Sequence, residues 1–141
     1  MIPLKIETLL DGKVVEQNRI EYKEGWNPND IIHTICAFAN DYHNMNGGYI
    51  VIGVREQNGV PQLPPTGLLK EQLDKIQQEV FQYSNQIIPR YIPKMEVVEY
   101  QEKYLLYLWC TAGDSGPYQA PVDVYSDKNK KNSIIGLGLP R

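Results

Sequence analysis

Three groups of residues in this chain could do chemistry. The first is Gly47-Gly48, inside the stretch "NDYHNMNGGYIVIGVREQNG" at residues 40–59. Consecutive glycines can offer backbone N–H groups to a phosphate, but the usual cradle is a loop between a strand and the start of a helix, where amides and helix dipole converge on the anion. Here the predicted order is helix, Gly-Gly, strand, and neither G-x-x-x-x-G-K-[ST] nor a strand-following G-x-G-x-x-G occurs. The pair reads first as a helix stop and a sharp turn, with backbone groups beside it as candidate anion contacts. The second group is cationic: Arg19, Lys23 and Arg55. Arg19 and Lys23 are four apart on an extended segment, so they share a side with Glu21. Such side chains position a phosphate backbone without reading its sequence, and Tyr22 or Trp26 between them could stack on a base. A charged strand face explains the same residues without a ligand, and Lys128, Lys130 and Lys131 read as a solvated end.

The third group comprises the metal-type ligands Cys36, Cys110, His33 and His43. No C-x-x-C or H-E-x-x-H spacing is present, which argues against zinc. The histidines are ten residues apart on one predicted helix, roughly 15 Å by helix rise, too far to share an ion. Both are expected at the surface or in capping positions. The cysteines lie in the apolar runs "HTICAF" and "YLLYLWCTAG" and read as reduced core thiols.

The elements that must position these residues follow from capping and periodicity. In "EGWNPNDIIHTICAFANDYHN", Asn27 can cap, Pro28 suits the first helical position and Asp30 suits the first turn. The spacing of Ile31, Ile32, Ile35, Phe38, Ala39 and Tyr42 predicts a helix from about residue 28 to residues 44–46, with one stripe against a sheet. "YIVIGV" reads as a central strand covered on both faces, and Asn58-Gly59 as the turn of "REQNGVPQ". A second helix is expected over about residues 66–85, with Leu69, Leu73, Ile76, Val80 and Phe81 on one side. "KMEVVEY" and "KYLLYLWC" form a hairpin about Gln101-Glu102. A strand at residues 19–23 precedes the first helix, and "LKIETLLDGKVVE" suggests a further N-terminal strand or hairpin. Trp109 is expected in the core or on the sheet surface, and Trp26 is placed to staple the helix entry.

With 141 residues the chain is expected to form one domain over 1–141. A formal net charge of −3 excludes nucleic-acid binding through a whole-molecule basic field, so any such binding must use a local patch. The ten tyrosines exceed what a core alone requires and point to an interface, so a homo-oligomer is among the expected partners. No apolar window approaches the length of a membrane span, and the chain reads as a cytoplasmic protein without a membrane partner.

The string "RIEYKEGW", followed by "ICAFAND", "NGGYIVIGV", "NG" and later "PY", resembles the Schlafen-type AlbA-like domain family over roughly residues 14–125. The resemblance implies an α/β (α+β) fold, a mixed β-sheet packed with two main helices. Many bacterial members are described as DNA-binding or transcriptional regulators. It therefore implies a DNA-binding module, non-catalytic on its own and without a cofactor, with Arg19, Lys23, Gly47, Gly48 and Arg55 at the nucleic acid. The family's last strand typically carries Tyr-hydrophobic-Arg-x-Gly-Ser-Ser/Thr, whereas this chain has "KNKKNSIIGLGLPR", so residues 126–141 are expected to be a divergent or truncated tail. Animal Schlafen nucleases resemble the same pattern and use two glutamates five residues apart and an aspartate just after Gly-Val. Glu16 and Glu21 match the first two places, but Arg55 follows Gly53-Val54, and Glu56 lies one residue further on. The alternative is thus an endoribonuclease dependent on Mg or Mn, using Glu16, Glu21 and Glu56 to hold a cation that activates water. Arg55 is the feature against it. A protein-interaction or dimerisation module is the third reading.

Overall fold

Asn27 and Pro28 start the main helix where the sequence predicts. In the computed structural model, which describes residues 2–11, 19–41, 47–125 and 132–134, the Asn27 side chain accepts a bond from the Asp30 N–H at 3.3 Å. Helices α1 (Ile6–Leu10) and α2 (Pro28–Ala39) flank strand β1 (Arg19–Lys23) in the chain, and β2 (Gly48–Ile52) follows. Then come the short strands β3 (Glu56–Gln57) and β4 (Val60–Pro61), a 3₁₀ turn at Lys70–Gln72, and α3 (Leu73–Ser84). Strands β5 (Lys94–Tyr100), β6 (Lys103–Cys110), β7 (Gln119–Pro121) and β8 (Asn132–Ile134) complete the described elements.

The main sheet has the order β1-β2-β6-β5. β1 runs parallel to β2, while β2–β6 and β6–β5 are antiparallel, so the sheet is mixed and the fold α+β as expected. β2 is central, and all five of its residues are buried. Its alternate side chains feed two cores. Ile50 and Ile52, with Leu106, Leu108 and Cys110 of β6, pack under α2 and α3. Tyr49 and Val51, with Leu105 and Tyr107, pack under α1.

Four sequence expectations are corrected. The segment expected as an N-terminal strand is helical at Ile6–Leu10, because Ile6, Leu9 and Leu10 recur at helix spacing and bury against the sheet; residues 12–18 lie outside the described residues. Helix α2 stops at Asn40 rather than at 44–46. Asn40 turns its amide to the 113–118 segment, donating to the Tyr118 carbonyl at 2.9 Å and accepting from the Tyr118 N–H at 2.7 Å. Tyr42 and His43 lie outside the described residues. His33 is buried, not surface, with Nε2 2.8 Å from the Pro121 carbonyl oxygen, because β7 packs along the helix. Finally α3 begins at Leu73, and the expected stripe members Leu69 and Phe81 are exposed. The buried face runs through Ile76, Val80 and Ser84, at i, i+4 and i+8, and Phe81 lies one position further round, beside Arg90.

The turns agree with the sequence. Gln101 and Glu102 both have φ in the left-handed region, 51° and 66°, as a two-residue hairpin loop matched to strand twist requires. Asn58 and Gly59 do the same between β3 and β4, at 53° and 81°.

Candidate nucleic-acid interface

Edge strand β1 carries the first candidates. Ile20 and Tyr22 turn to the α1 side, where the Tyr22 hydroxyl donates to the Leu9 carbonyl. Burial, reinforced by the carboxylates of Glu56 and Asp11, pushes that hydroxyl up to about 12. Tyr22 is thus a packing residue rather than a stacking platform. Arg19, Glu21 and Lys23 therefore project to the α2 side, as predicted from their spacing.

There, both ends of α2 hold them. Arg19 Nε lies 3.0 Å from Oδ2 of Asp41, just past the helix C-terminus, with the Arg19 side chain 51% exposed and that of Asp41 11%. Lys23 Nζ lies 2.7 Å from Asp30 in the first turn of α2 and 3.2 Å from Glu21, and its side chain is only 17% exposed. Lys23 is thus an internal tie between strand and helix. Arg19 commits its Nε and keeps half its surface in solvent.

Arg55 differs. The Gly53 and Val54 N–H groups donate to the Lys23 carbonyl at 2.7 and 3.1 Å, which sets Arg55 just beyond the C-terminal end of β1. The Arg55 carbonyl accepts from Gln62 N–H at 2.8 Å, closing the base of the β3–β4 hairpin. Its side chain is exposed and has no ion-pair partner among the described residues. Across the same end of the sheet, Gly67 N–H donates to the Gly53 carbonyl at 2.8 Å, and Gly67 abuts the stem of exposed Lys103. Lys103 was not foreseen as a site residue: its position after the hairpin turn was legible, but its approach to Gly67 depends on the long-range bond from the Leu68 N–H to the Tyr104 carbonyl.

The glycine pair plays a packing part. Both residues are buried. A Cβ on Gly48 would meet the Phe38 ring at 2.4 Å, and Gly47, at φ +79°, would bring one to 2.8 Å from the Cys110 carbonyl and from Trp109 Nε1. Glycine is needed there for close approach and, at Gly47, for positive φ. Trp26 donates its Nε1–H to Glu79 at 2.7 Å and packs on the main core, pinning the entry of α2 to α3. Trp109 is partly buried on the α1 face of the sheet.

Among the described residues the carboxylates do not converge. Glu21 pairs with Lys23 on the α2 side, Glu56 acts on the Tyr22 hydroxyl only through its charge, and Glu16 lies outside the described residues, as do Lys128, Lys130 and Lys131. Among the described residues no group of three or more His, Cys, Asp or Glu side chains could hold a metal ion. Cys36 and Cys110 are free and buried, and burial pushes the Cys110 thiol up. A cleft of about 450 Å³ opens at the start of α2, lined by Asn27, Asn29, Asp30, His33 and Val122. Its polar groups already serve the fold: Asn29 bonds Asp123 and the Val124 N–H, Asp30 takes Lys23, and His33 takes Pro121. No described helix is long and apolar enough to cross a membrane.

The sequence model of the family described as Schlafen, AlbA_2 matches residues 16–135. No curated protein matches the chain. Among solved structures, it is similar to the N-terminal domain of a RecG-related (ATP-dependent DNA helicase) protein from Nitrosomonas europaea, with a TM-score of 0.60 and 20% identity over 98% of this chain and 87% of that one. A weaker similarity, TM-score 0.47 and 14% identity over 72% of this chain and 21% of the other, is to the DIP2311 protein from Corynebacterium diphtheriae.

Proposed function

The chain belongs to the Schlafen AlbA_2 family, and from that premise we propose that it is a nucleic-acid-binding module, with DNA as its ligand, serving a transcriptional regulator and non-catalytic on its own. The observation that carries this reading is Arg55, an exposed guanidinium without an ion-pair partner among the described residues, set at the end of the buried central strand with Lys103 beside the same turn. Arg19 lies at the other end of β1, about 13 Å along the strand from Lys23. Its guanidinium has five donors and the Asp41 contact uses Nε, so it adds a second phosphate contact on the same edge. Lys23 holds β1 against α2 and contributes field more than contact. Gly47 and Gly48 shape the sheet behind this edge.

Fluorescence anisotropy with duplex DNA, single-stranded DNA and transfer RNA, in low and high salt and with Mg²⁺ or Mn²⁺ in parallel, tests the proposal. Binding should weaken with salt with a log–log slope of about −2 to −3, as for two or three phosphate contacts, and Arg55→Ala should reduce that slope by about 1 without altering the fold. Absence of binding at low salt would overturn it.

The nuclease alternative would require Glu16, Glu21 and Glu56 to share Mg or Mn. Of these, Glu21 already holds Lys23 at 3.2 Å, and among the described residues no three or more such ligands gather, which favours the binding reading. Metal-dependent cleavage lost on Glu21→Ala would reverse this ranking.

A further inference from the structure

The far edge of the sheet is β5, and among the described residues no strand pairs with its outer side. An edge strand presents a row of backbone donors and acceptors to any strand that can lie beside it. Val97 and Val98 are only partly buried and point to opposite faces, Val97 packing on the α2–α3 core and Val98 on the α1 core. Both cores therefore end in half-covered apolar side chains at this edge. A strand added there would extend both at once.

We propose that the occupant is a second copy of this chain, joined β5 to β5 in antiparallel fashion about a two-fold axis through Val97. The argument is register and charge. A two-fold perpendicular to the sheet keeps each residue on its own face, so only same-parity residues can be partners. Centring on Val97 uses all seven residues of β5 and sets Lys94 opposite Tyr100, Met95 opposite Glu99, and Glu96 opposite Val98. No like charges face each other. Centring on Glu96 sets two glutamates against each other, which is destabilising. Centring on Val98 leaves Lys94 opposite Glu102 and Met95 opposite Gln101, whose left-handed φ values take those two out of strand conformation. Charged residues ordinarily blunt an edge strand; in β5 the Val97-centred register is the one that uses the whole strand without setting like charges directly opposite each other.

The joined sheet has eight strands with the two β1 edges outermost, seven strand spacings or about 34 Å apart. That is close to one turn of B-form duplex. This last consequence rests on the nucleic-acid reading above, whereas the interface itself does not.

The interface is therefore tested without nucleic acid. Light scattering across a concentration series should show mass rising from 16.2 kDa towards twice that value. Val97→Lys, which opposes two like charges at the axis, should weaken association more than about tenfold. Val97→Cys should oxidise to a disulfide-linked dimer, while Glu96→Cys, not opposite its own copy, should not; Cys36 and Cys110 are buried and do not interfere. A chain that stays monomeric at every concentration overturns the proposal, as does a dimer that Val97→Cys fails to cross-link.

Discussion

Replacing Gly48 by alanine would place a methyl carbon 2.4 Å from Cδ1 and Cε1 of Phe38 and 2.6 Å from its Cζ. Carbon atoms rest at about 3.5–4.0 Å, so ring and strand must separate by roughly 1 Å or more. Neither partner has room. Phe38 is 2% exposed in the main core, and Gly48 is held in register on both sides, opposite Arg19 of β1 and Cys110 of β6. Overpacking of this kind costs about 1–3 kcal/mol. Gly48 has no left-handed φ, so alanine brings no backbone strain and recovers about 0.4–1 kcal/mol through the unfolded chain. The net expectation is a loss of about 1–2 kcal/mol. In urea titration the midpoint should fall with m unchanged, and Tm should drop by roughly 3–8 °C for a chain of this size. Adding Phe38→Leu should relieve the clash, so that the double variant loses less than the sum of the singles by about 1 kcal/mol. A Gly48→Ala protein at least as stable as the parent, or strict additivity with Phe38→Leu, would refute the steric argument.

Arg19→Ala strips the nearly buried Asp41 carboxylate of its partner; since Arg19 is half exposed, the expected loss is about 1 kcal/mol, most of it restored by Asp41→Asn in a urea double-mutant cycle. Burial, aided by Glu56 and Asp11, raises the Tyr22 hydroxyl from 10.0 to about 12, and burial together with Glu96 does the same for Tyr107. A raised folded value means that the associated stability is complete below pH 10 and is lost as pH rises towards 12. Tyr22→Phe should therefore flatten the alkaline decline in stability followed by thermal melts. Cys36 and Cys110 should give no reaction with a thiol reagent in the native protein and two equivalents after denaturation, since both are buried and the Cys110 thiol is pushed up.

Local chemistry made much of the fold legible. A capped start at Asn27-Pro28, a five-residue apolar strand and two turns built of residues suited to positive φ need few distant contacts to declare themselves. Motif spacing extended this to the family and to the mixed sheet. The misses share a cause. Ile6–Leu10 was ambiguous until a sheet face lay under it, and α2 ended early because Asn40 found the Tyr118 backbone, 78 residues away. The strand face bearing Arg19, Glu21 and Lys23 was likewise readable from alternation.

By itself, then, the sequence determined the capped start of α2, the two-sided burial of the central strand and three of the cations offered for phosphate contact, Arg19, Lys23 and Arg55, but not Lys103. Tertiary structure decided which of those cations are available. Asp30 and Asp41, at opposite ends of α2, take up Lys23 and part of Arg19, while Arg55 is carried past the sheet edge beyond them. The physical reason is that a charge's partner is set by distance in space, and the carboxylates that neutralise β1 come from a helix whose packing against the sheet no local pattern encodes.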